Sequence, residues 1–187
     1  GLLTTAGHRD ELELRRGYKE NIWDPALPPP PPICPRRRRL GIPERLDFEG
    51  NVVEPLDEEA VRAACRRLAR RGVESVAICL LFSYVNPAHE QRVREIAAEE
   101  LPGVDLSVSH EVHPSAPEFE RTSTTVVNAY VAPRIKRYLR RLQEALAQAG
   151  FRGALRIAQS NGGMMSPEYV ERRAVAVLGS GPTGGVI

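Results

Sequence analysis

Two glycine-rich loops and one histidine pair are the places in this 187-residue chain where residue types and spacing could do chemistry. Ser160-Asn161-Gly162-Gly163 follows an apolar stretch, and glycines there let backbone N–H groups approach a ligand closely. Ser180-Gly181-Pro182-Thr183-Gly184-Gly185 sits where a strand should pass into a helix, a place where free N–H groups and the helix dipole favour an anion. Both loops also fit a plain packing role, and the small Thr183, Gly184 and Gly185 suit a helix crossing another backbone at short range. His110-Glu111-Val112-His113 is unlike a zincin, which places two histidines four apart on a helix with Glu between them. Here the spacing is three and Pro114 follows, so no metal site is assigned. Cys34, Cys65 and Cys79 have neither disulfide-framework nor zinc spacing and no triad-like histidine, so inert thiols in a reducing cytoplasm are expected.

The elements that must position these loops are read from periodicity. Asp57 is an N-cap, and Val61, Ala64, Cys65, Leu68 and Ala69 form the buried stripe of a helix stopped by Gly72. Val73 to Phe82 is a continuous apolar run, as in a parallel strand covered on both faces. A second helix starts at Asn86-Pro87, carries Val93, Ile96, Ala97 and Leu101 inward, and stops at Pro102-Gly103; Val104 to Val108 is then a strand. Helix–strand–helix–strand layers make the fold class α/β. Leu40 to Phe48 and Val52-Val53 read as short strands around a Glu49-Gly50-Asn51 turn. From Phe119 a long helix, interrupted or kinked at Pro133, presents Val127, Tyr130, Val131, Ile135, Tyr138, Leu142 and Leu146 on one face. Ala154 to Ala158 and Ala174 to Leu178 are expected strands, and Ser166-Pro167-Glu168 caps a short helix between them. The opening segment, Gly1 to Asp24, reads as a short helix or strand whose packing partner is absent.

Composition narrows the function classes. A net charge of +2 gives no strong field for nucleic acid or an anionic membrane, and 42% hydrophobic with 27% charged residues fits a soluble globular chain. The longest apolar run is far too short to span a bilayer. Lys19 and Lys136 are the only lysines among 26 basic residues, a bias attributed to the genome more than to a recognition surface. Arg36 to Arg39 lack interleaved aromatics and are read as solvated edge-strand residues, and Pro28 to Pro32 as an extended surface spacer. The first residue is not Met and the last ones read as an element just beginning, so the chain is taken as an excerpt of a longer protein.

Several stretches then fall into one order: Thr4-Thr5-Ala6-Gly7-His8-Arg9-Asp10, Asn86-Pro87-Ala88-His89-Glu90, Glu118 to Val131, Gln159 to Gly163 and Ser180 to Val186. Over nearly its whole length the chain resembles the ATP-dependent hydantoinase/5-oxoprolinase family, including N-methylhydantoinase A and subunits of acetone and acetophenone carboxylases. Leu14 to Glu20 and Trp23-Asp24 lean toward the N-methylhydantoinase and ketone-carboxylase branches. The resemblance implies a fragment of an actin/sugar-kinase-like (ribonuclease H-like) ATPase fold. Residues 1–118 would be the later part of the N-terminal domain and 119–187 the beginning of the hydantoinase A domain.

The implied activity of the intact protein is ATP-dependent hydrolysis of a cyclic amide, hydantoin or 5-oxoproline in type, through phosphoryl activation of the amide oxygen. The alternatives are a ketone carboxylase subunit or a non-catalytic α/β interaction domain. ATP and Mg²⁺ are implied, but the family's two Asp- and Gly-rich phosphate loops are not in this sequence, so the fragment alone is expected to be inactive. Ser160, Asn161, Gly162 and Gly163 would line the inter-lobe cleft. Ser180, Gly181, Thr183, Gly184 and Gly185 would begin an inter-lobe or nucleotide-side helix, and no catalytic residue is assigned. His8 stands where many relatives carry an aromatic and Pro117 where an Arg is usual, which leaves Arg121, or nothing, to orient a charged group. Expected partners are a small cyclic amide or ketone and a hydantoinase B-like second subunit or another copy of the chain, with neither nucleic acid nor membrane.

Overall fold

The computed structural model describes residues 1–17 and 20–186; Tyr18 and Lys19 of the branch-leaning stretch and Ile187 of the terminal motif lie outside the described residues. Four parallel strands form the main sheet in the order β2-β1-β5-β6: β1 (Leu2–Thr5), β2 (Arg39–Ile42), β5 (Ser75–Cys79) and β6 (Asp105–Val108). Side chains alternate across it as the pleat requires. Leu3, Leu40, Ile42, Val76 and Ile78 face α1 (Glu58–Ala69) and α2 (Ala88–Glu100), where Val61, Cys65, Leu68, Val93 and Ile96 complete the larger core. Leu2, Ala77 and Cys79 point to the other face, onto Val126 and Ala129 of α4 (Glu118–Gln148).

The start of the chain is corrected by this arrangement. Leu2–Thr5 has its packing partners: it is a fully buried interior strand between β2 and β5. Asp57 caps α1 through Oδ1, which accepts from Ala60 N–H at 2.8 Å, and Gly72 supplies the left-handed turn beyond it at φ +59°. The stretch expected as one strand from Leu40 to Phe48 is divided: Leu40–Ile42 belongs to β2 of the parallel sheet, and β3 (Arg45–Leu46) pairs antiparallel with β4 (Val52–Glu54) around the expected turn. Arg36–Arg38 is a 3₁₀ turn, not an extended edge, and Arg39 is buried rather than solvated. Its guanidinium donates to the Cys34 carbonyl at 2.8 Å and pairs with Glu13 at 2.7 Å.

α4 runs 31 residues straight through Pro133 and serves two cores. Its buried face differs from the expected apolar stripe. Arg121, Thr122, Thr125, Val126, Asn128, Ala129, Ala132 and Leu139 are buried, whereas Tyr130 and Tyr138 are exposed. The reason is that the sheet presents polar groups to this helix. Ser107 Oγ accepts from Asn128 Nδ2 at 2.9 Å, and the Leu80 carbonyl accepts from Arg121 at 2.8 Å. Beyond Pro133, Leu139 packs with Met165 and Val170 in a smaller core.

That second core is covered by a hairpin of β7 (Ile157–Ala158) and β8 (Met164–Met165) and by α5 (Pro167–Arg172); α6 (Ser180–Gly184), following Gly179 at φ +78°, lies against β7 without a buried residue of its own. Ser166 caps α5 as expected. The strand expected at 154–158 shrinks to two residues, and that expected at 174–178 is a 3₁₀ turn (Ala174–Val177). The latter segment packs against α4 instead of a sheet, and Asn128 Oδ1 accepts from Val175 N–H at 2.9 Å, so it has no ladder to join.

Candidate functional site

Because all four main strands are parallel, their carboxyl ends share one edge, and chain order reverses between β1 and β5. Open α/β sheets bind ligands at such a switch point. Here the point is filled by the protein's own bonds. Thr5 ends β1; its Oγ1 accepts from Leu81 N–H at 3.0 Å and donates to Glu44. The other Glu44 oxygen meets His89 Nδ1 at 2.8 Å.

One strand further, Glu90 reaches in from α2 and is wholly buried. Its Oε1 accepts from Leu80 N–H at 2.8 Å and Ser109 Oγ at 2.6 Å, and its Oε2 from His110 N–H at 3.1 Å, with His110 Nδ1 at 2.7 Å. His110 therefore belongs to the one-turn helix α3 (Ser109–Val112) and to this carboxylate, which explains the motif without a metal. Arg121 closes the arrangement from α4, donating to Leu80 O, Ser83 Oγ and Ser109 Oγ and pairing with Glu118. Burial alone would lower its pKa; Cys79, Glu118 and Glu90 together outweigh that and hold it above the ordinary arginine value. Arg121 is thus a clamp on strand ends, not a free group able to orient a ligand.

Above this buried layer lies a half-exposed rim. Gly7, at φ +88°, turns the chain so that His8 Nε2 sits 3.3 Å from Arg45 Nη1. Arg45 also stacks over Phe82 at 6.0 Å, and Phe82 holds φ +57°, a backbone region unfavourable for an aromatic residue. Burial raises the Glu11 pKa above the usual carboxylate range, with His8 opposing and Glu118 adding to the shift. His8, Glu11, Arg45 and Phe82 are the candidates that spacing could not find. They come from three separate segments, and His8 alone stood out in the sequence.

The two loops singled out in the sequence are brought together. Ser160 N–H and Oγ both donate to the Ala176 carbonyl, at 2.8 and 2.7 Å, and Thr183 Oγ1 donates to the Ser160 carbonyl at 3.0 Å. Gly162 turns the hairpin tip at φ +87°, and Asn161 Oδ1 accepts from Gly163 N–H at 3.0 Å. Ser160 and Asn161 are exposed, as are Gly181, Gly184 and Gly185; Ser180 is partly covered.

The three cysteines are buried and free. Burial pushes the Cys79 thiol up to about 12 and the Cys65 thiol to about 11, and raises Cys34 as well, so none is a ready nucleophile. A nucleotide–magnesium site does not fit the sheet edge. Its carboxylates, Glu44 and Glu90, already receive protein donors, and no group of three or more metal-binding side chains occurs among the described residues.

The parallel sheet with helices on both faces agrees with the α/β class expected from the sequence. Two solved structures share it: ATP-dependent caprolactamase from Pseudomonas jessenii (TM-score 0.85, 40% identity, 97% of this chain and 27% of that one) and nucleotide-free acetone carboxylase (TM-score 0.87, 31% identity, 100% and 28%). These neighbours place it among actin-like ATPase-related folds. Residues 1–101 match the hydantoinase/oxoprolinase N-terminal region and residues 121–187 match hydantoinase/oxoprolinase, so the chain belongs to the hydantoinase/oxoprolinase family. The caprolactamase alpha subunit of P. jessenii is 41% identical over 97% of this chain, and the acetophenone carboxylase gamma subunit of Aromatoleum aromaticum 36% identical over 100%. The chain spans about a quarter of the length of these relatives, 26% and 27% respectively.

Proposed function

We propose that the protein containing this chain is an ATP-dependent hydrolase of cyclic amides, and that residues 1–118 and 119–187 are contiguous parts of two of its domains. The observation that carries this reading is the match to an ATP-dependent caprolactamase, close in both sequence and backbone over 97% of the chain. An unstrained lactam resists water because its carbonyl is a weak electrophile and its nitrogen a poor leaving group. ATP would supply phosphoryl activation of the amide oxygen, with Mg²⁺ expected alongside; no described residue is assigned to hold either.

What this chain contributes is positioning. The buried Glu90–Arg121–Ser109 layer fixes the strand ends, and His8, Glu11, Arg45 and Phe82 stand on it as the half-exposed rim. Ser160, Asn161, Gly162 and Gly163 line the substrate side of the inter-lobe cleft in this reading, with Ser180, Gly181, Thr183, Gly184 and Gly185 on the helix that leads away from it. A hydantoinase B-like subunit or a second copy of the chain is the expected partner, in keeping with relatives described as alpha, beta and gamma subunits.

A ketone carboxylase is the second reading, favoured by the acetone carboxylase backbone match over the whole chain. ATP turnover by the intact protein separates the two. Stimulation by caprolactam, hydantoin or 5-oxoproline without bicarbonate supports the hydrolase. Stimulation by acetone only when bicarbonate is present replaces it with the carboxylase.

A further inference from the structure

Phe82 is held against its own backbone preference. It lies at φ +57°, where Cβ is crowded and a bulky residue is a rare occupant. Elsewhere this chain meets such a turn with glycine, as at Gly7, Gly72 and Gly103; Arg15 and Arg16 are the other exceptions among the described residues. Core burial does not account for the strain, because Phe82 belongs to none of the three hydrophobic clusters among the described residues. Nor does the turn itself, which glycine would make without cost to the backbone.

The segment that carries Phe82 is fixed from three sides. Leu80 N–H donates to Glu90 Oε1 at 2.8 Å, Leu81 N–H to Thr5 Oγ1 at 3.0 Å, and Phe82 N–H to Glu118 Oε1 at 3.4 Å. Those three acceptors come from α2, β1 and α4. The Leu80 carbonyl accepts from Arg121 at 2.8 Å, and the Phe82 carbonyl from Val85 and Asn86 N–H at 2.9 and 3.1 Å. A strained residue persists where its surroundings over-determine it. What this clamp fixes in place is a half-buried ring. The ring lies 6.3 Å from that of Tyr84 and 6.0 Å below the Arg45 guanidinium, whose Nη1 is 3.3 Å from His8 Nε2.

We infer that Phe82 is a positioning residue: the strained turn presents its ring as the platform that holds the Arg45 guanidinium beside His8, and Phe82 acts on the reaction through Arg45. The inference rests on the reading of this rim as part of the reaction site of an ATP-dependent amide or ketone enzyme.

Phe82→Ala and Phe82→Gly in the intact protein both remove the ring, and only glycine relieves the backbone. The glycine variant should therefore melt about 1 °C or more above the alanine variant. Both should nonetheless lose kcat/KM by the same factor, about tenfold, and Phe82→Tyr should restore most of it. Arg45→Met should match that loss, and Phe82→Gly combined with Arg45→Met should be no worse than either alone, as for two residues acting as one unit. Crystal structures of the glycine and tyrosine variants should show Arg45 withdrawn from His8 in the first and in place in the second. Equal melting of the alanine and glycine variants overturns the strain, whereas an alanine variant that does not fold beside a glycine variant that does supports it. Turnover that follows melting temperature, or Phe82 and Arg45 losses that multiply, overturns positioning. If no substrate stimulates ATP turnover, the enzyme reading fails by itself. An Arg45 that stays beside His8 in the glycine variant overturns the inference whichever reaction is found.

Discussion

At the carboxyl edge of the sheet, Thr5, Glu44, Glu90, Ser109 and Arg121 are buried and bonded to one another. At the hairpin tip, Ser160 and Asn161 are exposed and bond only to their immediate surroundings. The first region therefore uses polar groups to hold strand ends in place, and the second leaves them accessible. A side chain in the first cannot be removed without orphaning a buried partner, whereas one in the second can be. Substitutions should split the same way: stability should respond at the sheet edge, and turnover without stability at the hairpin.

Arg121→Met tests this most strongly. The guanidinium is fully buried and supports Leu80 O, Ser83, Ser109 and Glu118. Its loss should cost about 3 kcal/mol or more, the usual result of stripping one partner from a buried charged network. Denaturant titration of the intact protein reads this as a lower midpoint. Arg121→Lys should recover little, because one ammonium cannot span the same set of acceptors. A midpoint unchanged in Arg121→Met would erase the proposed contrast.

Glu90→Gln comes next. The amide retains one acceptor oxygen where the carboxylate used two against four donors. A loss of about 2 kcal/mol follows from the worth of hydrogen bonds to a charged group. The His110 ring resonances in a nuclear magnetic resonance spectrum should shift as well, and their remaining in place would separate His110 from this carboxylate.

Alkaline stability sharpens the comparison differently: of the two strongly shifted thiols, Cys79 lies beside the first region, against Thr122, and Cys65 lies on the buried face of α1 in the larger core. Cys79 and Cys65 have folded pKa values of about 12 and about 11, above the ordinary 9.0 of a cysteine. The folded state thus holds these protons more tightly than the unfolded one. Their contribution is fully present below pH 9, falls as pH rises, and is gone once pH passes the folded values. Thermal midpoints should decline from about pH 9 upward, and Cys79→Ala together with Cys65→Ala should flatten that decline. A decline just as steep in the double variant would assign it to other groups.

The same contrast explains how much could be read from the sequence. α1 was legible because Asp57, its apolar stripe and Gly72 all act locally. β5 was legible because a strand buried on both faces is apolar throughout. Leu2–Thr5 was not, since two apolar and two hydroxyl residues beside a charged stretch carry no period long enough to reveal an interior strand. α4 was placed correctly but turned to the wrong face. Its buried side is set by Arg121 and Asn128 finding partners on the sheet and its strand ends, which hydrophobic periodicity cannot register. Ala174–Val177 has strand-like composition but no neighbouring strand. The two loops were legible as candidates from glycine and small-residue content, yet the bond from Thr183 to Ser160 that joins them was not. The rim of His8, Glu11, Arg45 and Phe82 needed the fold to assemble it.

The smallest expected effect concerns that bond. Thr183→Val keeps shape and removes the hydroxyl that links α6 to the hairpin through the Ser160 carbonyl. Both residues have solvent nearby, so the carbonyl can be rehydrated and stability should change by no more than about 1 kcal/mol. If the hairpin lines the substrate side of the cleft, its position matters more to turnover than to folding. The intact protein should then show a raised KM for its amide or ketone substrate at an unchanged melting temperature. Asn161→Ala should act in the same direction, because Asn161 Oδ1 holds the Gly163 N–H that shapes the tip. A drop in melting temperature with kinetics intact would instead make the hairpin another piece of scaffold, and the distinction between the two regions would no longer be one of function.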